Sequence, residues 1–112
     1  LGGTNVDKAY SIQQTSDDNY IIAGYTSSNN GDVSGNHGSD DFWIVKLNGT
    51  GNLIWQKTFG GSGLDQARSI EQTPDNGFII AGTTWSNDGD VIGNNDTFNP
   101  NFWVVKTTAI NN

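Results

Sequence analysis

Two loops of this chain are rich in side-chain oxygens and are nearly identical to each other. The first reads NNGDVSGN at residues 29–36, and the second reads NDGDVIGN at residues 87–94. Calcium takes about six to eight oxygen ligands from flexible loops, so both of these GDV loops are candidate calcium sites. Their order of glycines and carboxylates differs from that of an EF-hand. The candidate ligands are Asn29, Asp32, Asn36 and Asp40 in the first copy and Asn87, Asp88, Asp90, Asn94 and Asp96 in the second.

A purely structural explanation of the GDV loops is the one we favour. Asp and Asn side chains accept hydrogen bonds from nearby backbone amides, while glycine adopts the positive φ that tight turns need. His37, the only histidine, follows the first loop, and we interpret it as a solvated loop residue. Asp40 and Asp41 precede a predicted strand, where neighbours point to opposite faces. They are therefore interpreted as a solvated rim rather than as a pair of acid–base groups.

Single residues suggest three further kinds of site. Trp85 lies at a predicted strand end beside Asn and Asp residues, where an exposed ring could stack on a sugar. Asn48 and Asn95 each begin an N-glycosylation sequon. Lys46 and Lys106 occupy matching positions inside apolar strands, where they either extend to solvent or pair with an aspartate of a neighbouring strand. The remaining tryptophans are predicted to pack in the core: Trp43, Trp55 and Trp103.

Composition argues against several classes of function. The net charge of −7 disfavours nucleic acid and anionic membranes as partners. The chain contains no cysteine, which removes disulfides and thiolate chemistry. No apolar run approaches the roughly 18–20 residues that a membrane helix needs. Because no nucleophile–base pair, phosphate-cradling motif or histidine cluster stands out, we predict that the chain is not an enzyme.

The GDV loops belong to a longer internal duplication. Shifting the sequence by 58 positions (60 − 2) places residues 2–3 on residues 60–61, and 21 of the 35 pairs from 2/60 to 36/94 are then identical. Beyond the loops the second copy is two residues longer, and FWIVK at 42–46 meets FWVVK at 102–106. Such a period indicates a repeat architecture. The predicted repeats are residues 1–59 and an incomplete copy at residues 60–112.

Each copy predicts short strands separated by turns. NGTGN at 48–52 predicts a hairpin with a primed Asn-Gly turn, and the LIWQKTF strand that follows has no equivalent in the second copy. YIIAGY and FWIVKL are apolar at nearly every position, which predicts sheets covered on both faces. We therefore predict an all-β fold of two blade-like antiparallel sheets, β-propeller-like, the second lacking its fourth strand. The predicted strands are Ala9–Thr15, Tyr20–Thr26, Phe42–Leu47, Leu53–Phe59, Ala67–Thr73, Phe78–Thr84 and Phe102–Thr107.

The combined motif resembles a known group of repeats. The pattern GG(S/T)xxDxAxSIxQTxDxx(Y/F)IIAGxTxSxxGDVxGN…FW(I/V)VK, continued by GNLIWQKTFGG, is similar to the tandem repeats of secreted surface proteins in Bacteroidetes-type bacteria. Such repeats are common in large cargo of the type IX secretion route and are expected to form β-propeller-like folds. The resemblance covers nearly the whole chain. It implies an extracellular or cell-surface location and no established activity.

These observations lead to two functional expectations. The first is a non-enzymatic extracellular structural module, whose β-repeats associate in series into a fibre or surface layer. Its partners would be copies of itself or adjacent repeats, joined by strand addition at the open edge of the incomplete sheet. The alternative is a glycan-binding, lectin-like propeller fragment that uses Trp85 and the loop Asn and Asp residues, assisted by calcium. Neither expectation includes nucleic acid or membrane insertion.

Overall fold

The structure is a computed structural model that describes residues 1–92, 94 and 98–108. Within these residues the chain forms seven β-strands and no helix, and thus no helix long and apolar enough to cross a membrane. The strands are β1 (Asp7–Gln14), β2 (Tyr20–Thr26), β3 (Asp41–Leu47), β4 (Leu53–Phe59), β5 (Asp65–Gln72), β6 (Phe78–Thr84) and β7 (Asn101–Thr107).

The strands form two antiparallel meanders, one from each repeat. Sheet 1 has the order β1-β2-β3-β4, and sheet 2 has the order β5-β6-β7. The predicted all-β fold with a four-stranded and a three-stranded antiparallel sheet is therefore confirmed. β1 and β5 begin two residues earlier than predicted, at Asp7 and Asp65, because each aspartate still pairs with the last residue of the next strand.

The hairpin turns follow one pattern, which differs from the predicted primed turn. At residues 48–52 the amide of Asn48 donates to the carbonyl of Asn52, and the positive φ of 90° falls on Gly51 rather than on Gly49. The β1–β2 and β5–β6 turns have the same arrangement, with Asp18 at φ 66° and Asn76 at φ 63°. A three-residue turn of this kind needs its left-handed residue at the end of the loop, so the Asn-Gly pair was a misleading signal.

In each repeat the first strand contains a bulge. This bulge requires a glycine in the neighbouring second strand of the same repeat. A Cβ on Gly24 would lie 1.8 Å from the carbonyl oxygen of Lys8, and one on Gly82 would lie 2.1 Å from that of Gln66. Neither position accepts a side chain. The matching bulges show that the two repeats share backbone geometry as well as sequence.

The two sheets pack on each other through different faces. Sheet 1 uses the face that carries Ile21 and Phe42, whereas sheet 2 uses the face that carries Ile70 and Ile80. The counterpart of Ile21 in the second repeat is Ile79, which lies on the opposite face of sheet 2 from Ile80. The junction is therefore heterologous, because it joins two different surfaces of the repeat. The fully buried core consists of Ile21, Ala23, Phe42, Ile44, Ala67, Ile70, Phe78 and Ile80.

Candidate interaction surface

The aspartate of each GDV sequence binds the Gly-Gly segment at the start of its own repeat. The Asp32 carboxylate accepts a hydrogen bond from the amide of Gly2 at 3.0 Å, and its own amide donates to the carbonyl of Gly2 at 3.0 Å. Asp90 and Gly60 form the same two bonds at 3.0 and 2.9 Å. The reciprocal pair anchors the loop to the segment that leads into the first strand of the repeat.

A second aspartate completes this arrangement in each repeat. Asp65 is fully buried and accepts hydrogen bonds from the amide of Gly61 at 2.9 Å and from the hydroxyls of Thr84 and Ser86 at 2.5 and 2.9 Å. The counterpart Asp7 binds the matching three donors of the first repeat. Burial raises the pKa of Asp65 above its ordinary value. These bonds explain the strand-end Thr-x-Ser of both copies, which the sequence reading left without a role.

The other loop positions that the two copies share are also engaged within the fold. The Asn36 side-chain amide donates to the carbonyls of residues 26, 28 and 39. Asn94 donates to the carbonyl of Ser86 at 2.8 Å. The valines of the two loops, Val33 and Val91, are only 2% and 3% exposed, and Val33 packs on Trp43. Each loop is thus held in place by one buried valine, with hydrogen-bonded polar side chains on either side of it in sequence.

These bonds bear directly on the calcium prediction. At least one side-chain oxygen has a protein partner in each of Asn29, Asp32, Asp40, Asp88 and Asp90. Among residues 1–92, 94 and 98–108, no group of three or more His, Cys, Asp or Glu side chains could hold a metal ion. Asp96 lies outside the described residues. Calcium binding stays a prediction, and the geometry assigns most of the candidate ligands to turn formation instead.

Two predicted solvent-exposed residues, Asp41 and His37, form a polar contact at the junction of the sheets. Asp41 is fully buried, and the Nδ1 atom of His37 lies 2.6 Å from its Oδ2 atom. The Nε2 atom of His37 lies 3.5 Å from Asp90 in the second repeat. The expectation of a solvated rim was wrong for Asp41, because packing sheet 2 against this end of β3 covers it. Asp40 spans the junction as well, accepting from the side chain of Gln66 at 3.0 Å.

The protonation of this contact is shifted by its surroundings. The hydrogen bond to Asp41 raises the pKa of His37 above its ordinary value, because the carboxylate stabilises the imidazolium. Burial raises the pKa of Asp41, opposed by the bonds from His37. The Oδ1 atom of Asp41 is buried without a hydrogen-bond partner among the described residues. A buried oxygen without a hydrogen-bond partner costs free energy in the folded chain.

Aromatic packing dominates the apolar part of the junction. The rings of Phe42 and Trp103 lie 4.9 Å apart, and those of Trp55 and Phe78 lie 6.1 Å apart. Tilted aromatic pairs at such distances stabilise beyond the area they bury. At the edge of the junction, the guanidinium of Arg68 lies 4.2 Å from the ring centre of Tyr10.

The face of sheet 1 that points away from sheet 2 contains an apolar groove of about 510 Å³. Its lining includes Ala9, Ile12, Ile22, Gly24, Trp43 and Val45. Ile12 is 63% exposed there, whereas its counterpart Ile70 is 1% exposed in the core. We call this surface the sheet 1 groove.

The face of sheet 2 that points away from sheet 1 is also uncovered. Phe102 is 86% exposed and Val104 is 48% exposed, although their counterparts Phe42 and Ile44 are buried. Ile79 and Ala81 stand beside them in β6. We call this surface, formed by Ile79, Ala81, Phe102 and Val104, the sheet 2 ridge. One end of the molecule thus exposes the kind of face that sheet 2 contributes to the internal junction, and the opposite end exposes the kind that sheet 1 contributes.

The remaining predicted site residues lie at other places on the surface. Trp85 is partly buried just after β6 and lines a small polar depression of about 280 Å³ with Ser62 and Asp88. Asn48 forms the β3–β4 turn, and Asn95 lies outside the described residues. Lys46 and Lys106 pair with Asp17 and Asp75, so of the two alternatives the structure shows an ion pair. These aspartates lie in turns rather than in neighbouring strands.

Sequence reasoning alone missed which surfaces are free. Ile12 and Phe102 are of the same residue type as their buried counterparts, so the sequence contains no signal that these two side chains are exposed. No family model and no curated protein matches the chain.

Proposed function

We propose that this chain is a non-enzymatic structural module, whose repeats associate in series to build an extracellular assembly. The observation that carries the proposal is the heterologous junction between sheets 1 and 2. Since the repeats bury opposite faces, the chain exposes the sheet 1 groove at one end and the sheet 2 ridge at the other. A heterologous contact of this kind can be repeated by any further copy.

The apolar character of both ends supports association. Each end carries a large exposed apolar side chain, Phe102 at 86% exposure and Ile12 at 63%. Contiguous exposed apolar surface of this kind typically marks an interaction site. Repeat proteins commonly depend on such end-to-end burial, because each unit covers only the faces of its neighbours.

A second contact is proposed at the edge of sheet 2. Within the described residues β7 pairs only with β6, whereas its counterpart β3 pairs with both β2 and β4. The outer edge of β7 therefore offers backbone donors and acceptors to a fourth strand from a copy or an adjacent repeat. With that strand in place, the sheets would become complete four-stranded blades of the β-propeller-like kind.

The resemblance to secreted bacterial surface repeats supports the extracellular part of the proposal. A series of heterologous contacts closes into a ring when the rotation per unit allows it and otherwise forms an open filament. Sedimentation velocity over a range of concentrations, followed by electron microscopy, tests serial association. We expect particles that grow with concentration, seen as rings or threads. A single species of the monomer mass at every concentration would refute the proposal.

A glycan-binding role is the second candidate, and Trp85 is the observation that favours it. The ring borders the polar depression at Ser62 and Asp88, where a sugar face and its hydroxyls would both find partners. Glycan-array binding by the wild type and by Trp85→Ala tests this role. Loss of a reproducible signal in the variant supports it, and an array without signal for the wild type rejects it.

A further inference from the structure

We infer that Phe102 of one copy of this chain inserts into the sheet 1 groove of a second copy and packs on Trp43 there. The inference rests on the proposed serial association and specifies which residues form its contact. The occupant of the groove is a second copy of this chain, and no other molecule is needed.

The junction inside the chain shows how such a contact is built. Phe42 extends from sheet 1 onto sheet 2 and packs on Trp103, with the ring centres 4.9 Å apart. In register, Phe42 pairs with Tyr25 and Phe102 pairs with Thr83, so both phenylalanines project from the same face of their sheets. Phe102 is therefore the structural counterpart of the residue that already makes this contact.

The receiving surfaces also match in residue type and in strand register, although Trp43 is already only 7% exposed in the isolated chain, where it clusters with Val33. Six residues on the face of sheet 2 that packs against sheet 1 correspond to six residues of the sheet 1 groove, and all six pairs are identical in sequence. The register confirms the match at the centre, since Trp43 pairs with Gly24 and Trp103 pairs with Gly82. The pairs are Ala9/Ala67, Ile12/Ile70, Ile22/Ile80, Gly24/Gly82, Trp43/Trp103 and Val45/Val105.

The inserting surfaces match almost as closely. The sheet 2 ridge of Ile79, Ala81, Phe102 and Val104 corresponds to Ile21, Ala23, Phe42 and Ile44, with one Ile-to-Val difference. A loss of one methyl group at a single position preserves both shape and apolar character. A contact between two copies can therefore repeat the packing of Phe42 on Trp103. It cannot repeat the Trp55–Phe78 pair, because sheet 2 contains no counterpart of β4 among the described residues.

The polar rim of the internal junction cannot be repeated in full. Ser16 donates its amide to the side chain of Gln72 at 3.0 Å, but its counterpart Pro74 has no amide hydrogen. Asp40, which bonds to Gln66, has Pro100 as its counterpart. The contact between copies consequently depends on the apolar insertion, and within it on Phe102.

Two complementary variants test this contact. Phe102→Asp removes the inserting residue and leaves the groove intact, whereas Ile12→Asp places a charge in the groove and leaves the ridge intact. Both residues are highly exposed in the isolated chain, so each variant should fold with wild-type circular dichroism and melting temperature. Leu64→Asp, in the loop between the sheets, is the control for adding a carboxylate to the surface.

Sedimentation velocity gives an outcome specific to this pairing. Each of the two variants alone should be monomeric, with association weakened at least ~30-fold, while Leu64→Asp should assemble like the wild type. An equimolar mixture of Phe102→Asp and Ile12→Asp should form a dimer and nothing larger, because only one groove and one ridge remain functional in each pair.

The failures of the two proposals are distinguishable. If the wild type assembles and Phe102→Asp assembles equally well, serial association stands and the insertion of Phe102 is refuted. If the variants are monomeric alone and remain so when mixed, the pairing of ridge with groove is refuted. If the wild type is monomeric at every concentration, both the proposed function and this inference fail.

Discussion

Truncating Phe42 to alanine should lower the free energy of unfolding strongly, whereas truncating Phe102 should leave it nearly unchanged. Both residues begin the same FW(I/V)VK motif. Phe42 is 0% exposed and packs on Trp103, whereas Phe102 is 86% exposed. Phe-to-Ala changes in a packed core cost about 3–5 kcal/mol, from lost burial and the cavity left behind. Changes at exposed positions usually stay within about 0.5 kcal/mol. The difference between the two variants should therefore be roughly 3–5 kcal/mol.

Urea unfolding at a concentration where the chain is monomeric measures this difference. A domain of this size has a total stability on the order of 5–15 kcal/mol, so Phe42→Ala should remove a large fraction of it. We expect a lower midpoint with an unchanged m-value for Phe42→Ala, and a wild-type curve for Phe102→Ala. The melting temperature of Phe42→Ala should fall by more than about 10 °C.

The matched pair Ile70→Ala and Ile12→Ala provides an independent check from the other side of the junction. Ile70 is 1% exposed and Ile12 is 63% exposed, so only the first substitution should cost about 2–5 kcal/mol. Equal losses of unfolding free energy for Phe42→Ala and Phe102→Ala in the monomer would show that the two sheets do not pack through the faces described. The sheet 1 groove and the sheet 2 ridge would then not be the uncovered faces of the chain.

Three further predictions concern charged residues. The pKa of His37 is raised in the folded chain, so its stabilising contribution is complete below its ordinary value of 6.5 and is lost as the pH rises through the folded value. The melting temperature of the wild type should thus decline above pH 6.5, and that of His37→Asn should decline less; parallel curves would contradict this. Asp17→Ala should lower the free energy of unfolding in urea by about 0.5–1 kcal/mol, since the side chain of its partner Lys46 is only 11% exposed. Asp75→Ala should lower it less, because both members of its ion pair are more exposed. A calcium chelator should leave the melting temperature unchanged, because the loop oxygens are bonded to backbone amides. A fall in the melting temperature on chelation would support the calcium sites.

The order of strands and turns could be predicted from sequence because its causes are local. The duplicated GDV loops, the alternation of strands and turns, and the incomplete second copy all follow from short-range patterns. The same locality explains one error. Asn48-Gly49 is a strong signal for a two-residue turn, but the turn spans residues 48–52 and places its left-handed residue at Gly51. The choice between these turns depends on strand register, which a dipeptide does not specify.

The polar junction could not be predicted, because its members are distant in sequence. Asp41 and His37 belong to the first repeat, but Asp41 becomes buried and His37 gains its contact with Asp90 only when the second repeat is packed beside them. In the second repeat the counterpart of Asp41 is Asn101, so comparison of the two copies gives no hint of a shared role.

The sequence by itself determined the strands, their antiparallel meanders and the presence of two apolar faces on each repeat. Only the tertiary structure decided which of those faces is buried. Phe42 and Phe102, or Ile12 and Ile70, are the same residues in the same local setting, with opposite exposure. The physical reason is that two repeats joined through unlike faces must each leave one face uncovered, and that choice is made by packing between repeats rather than by any single strand.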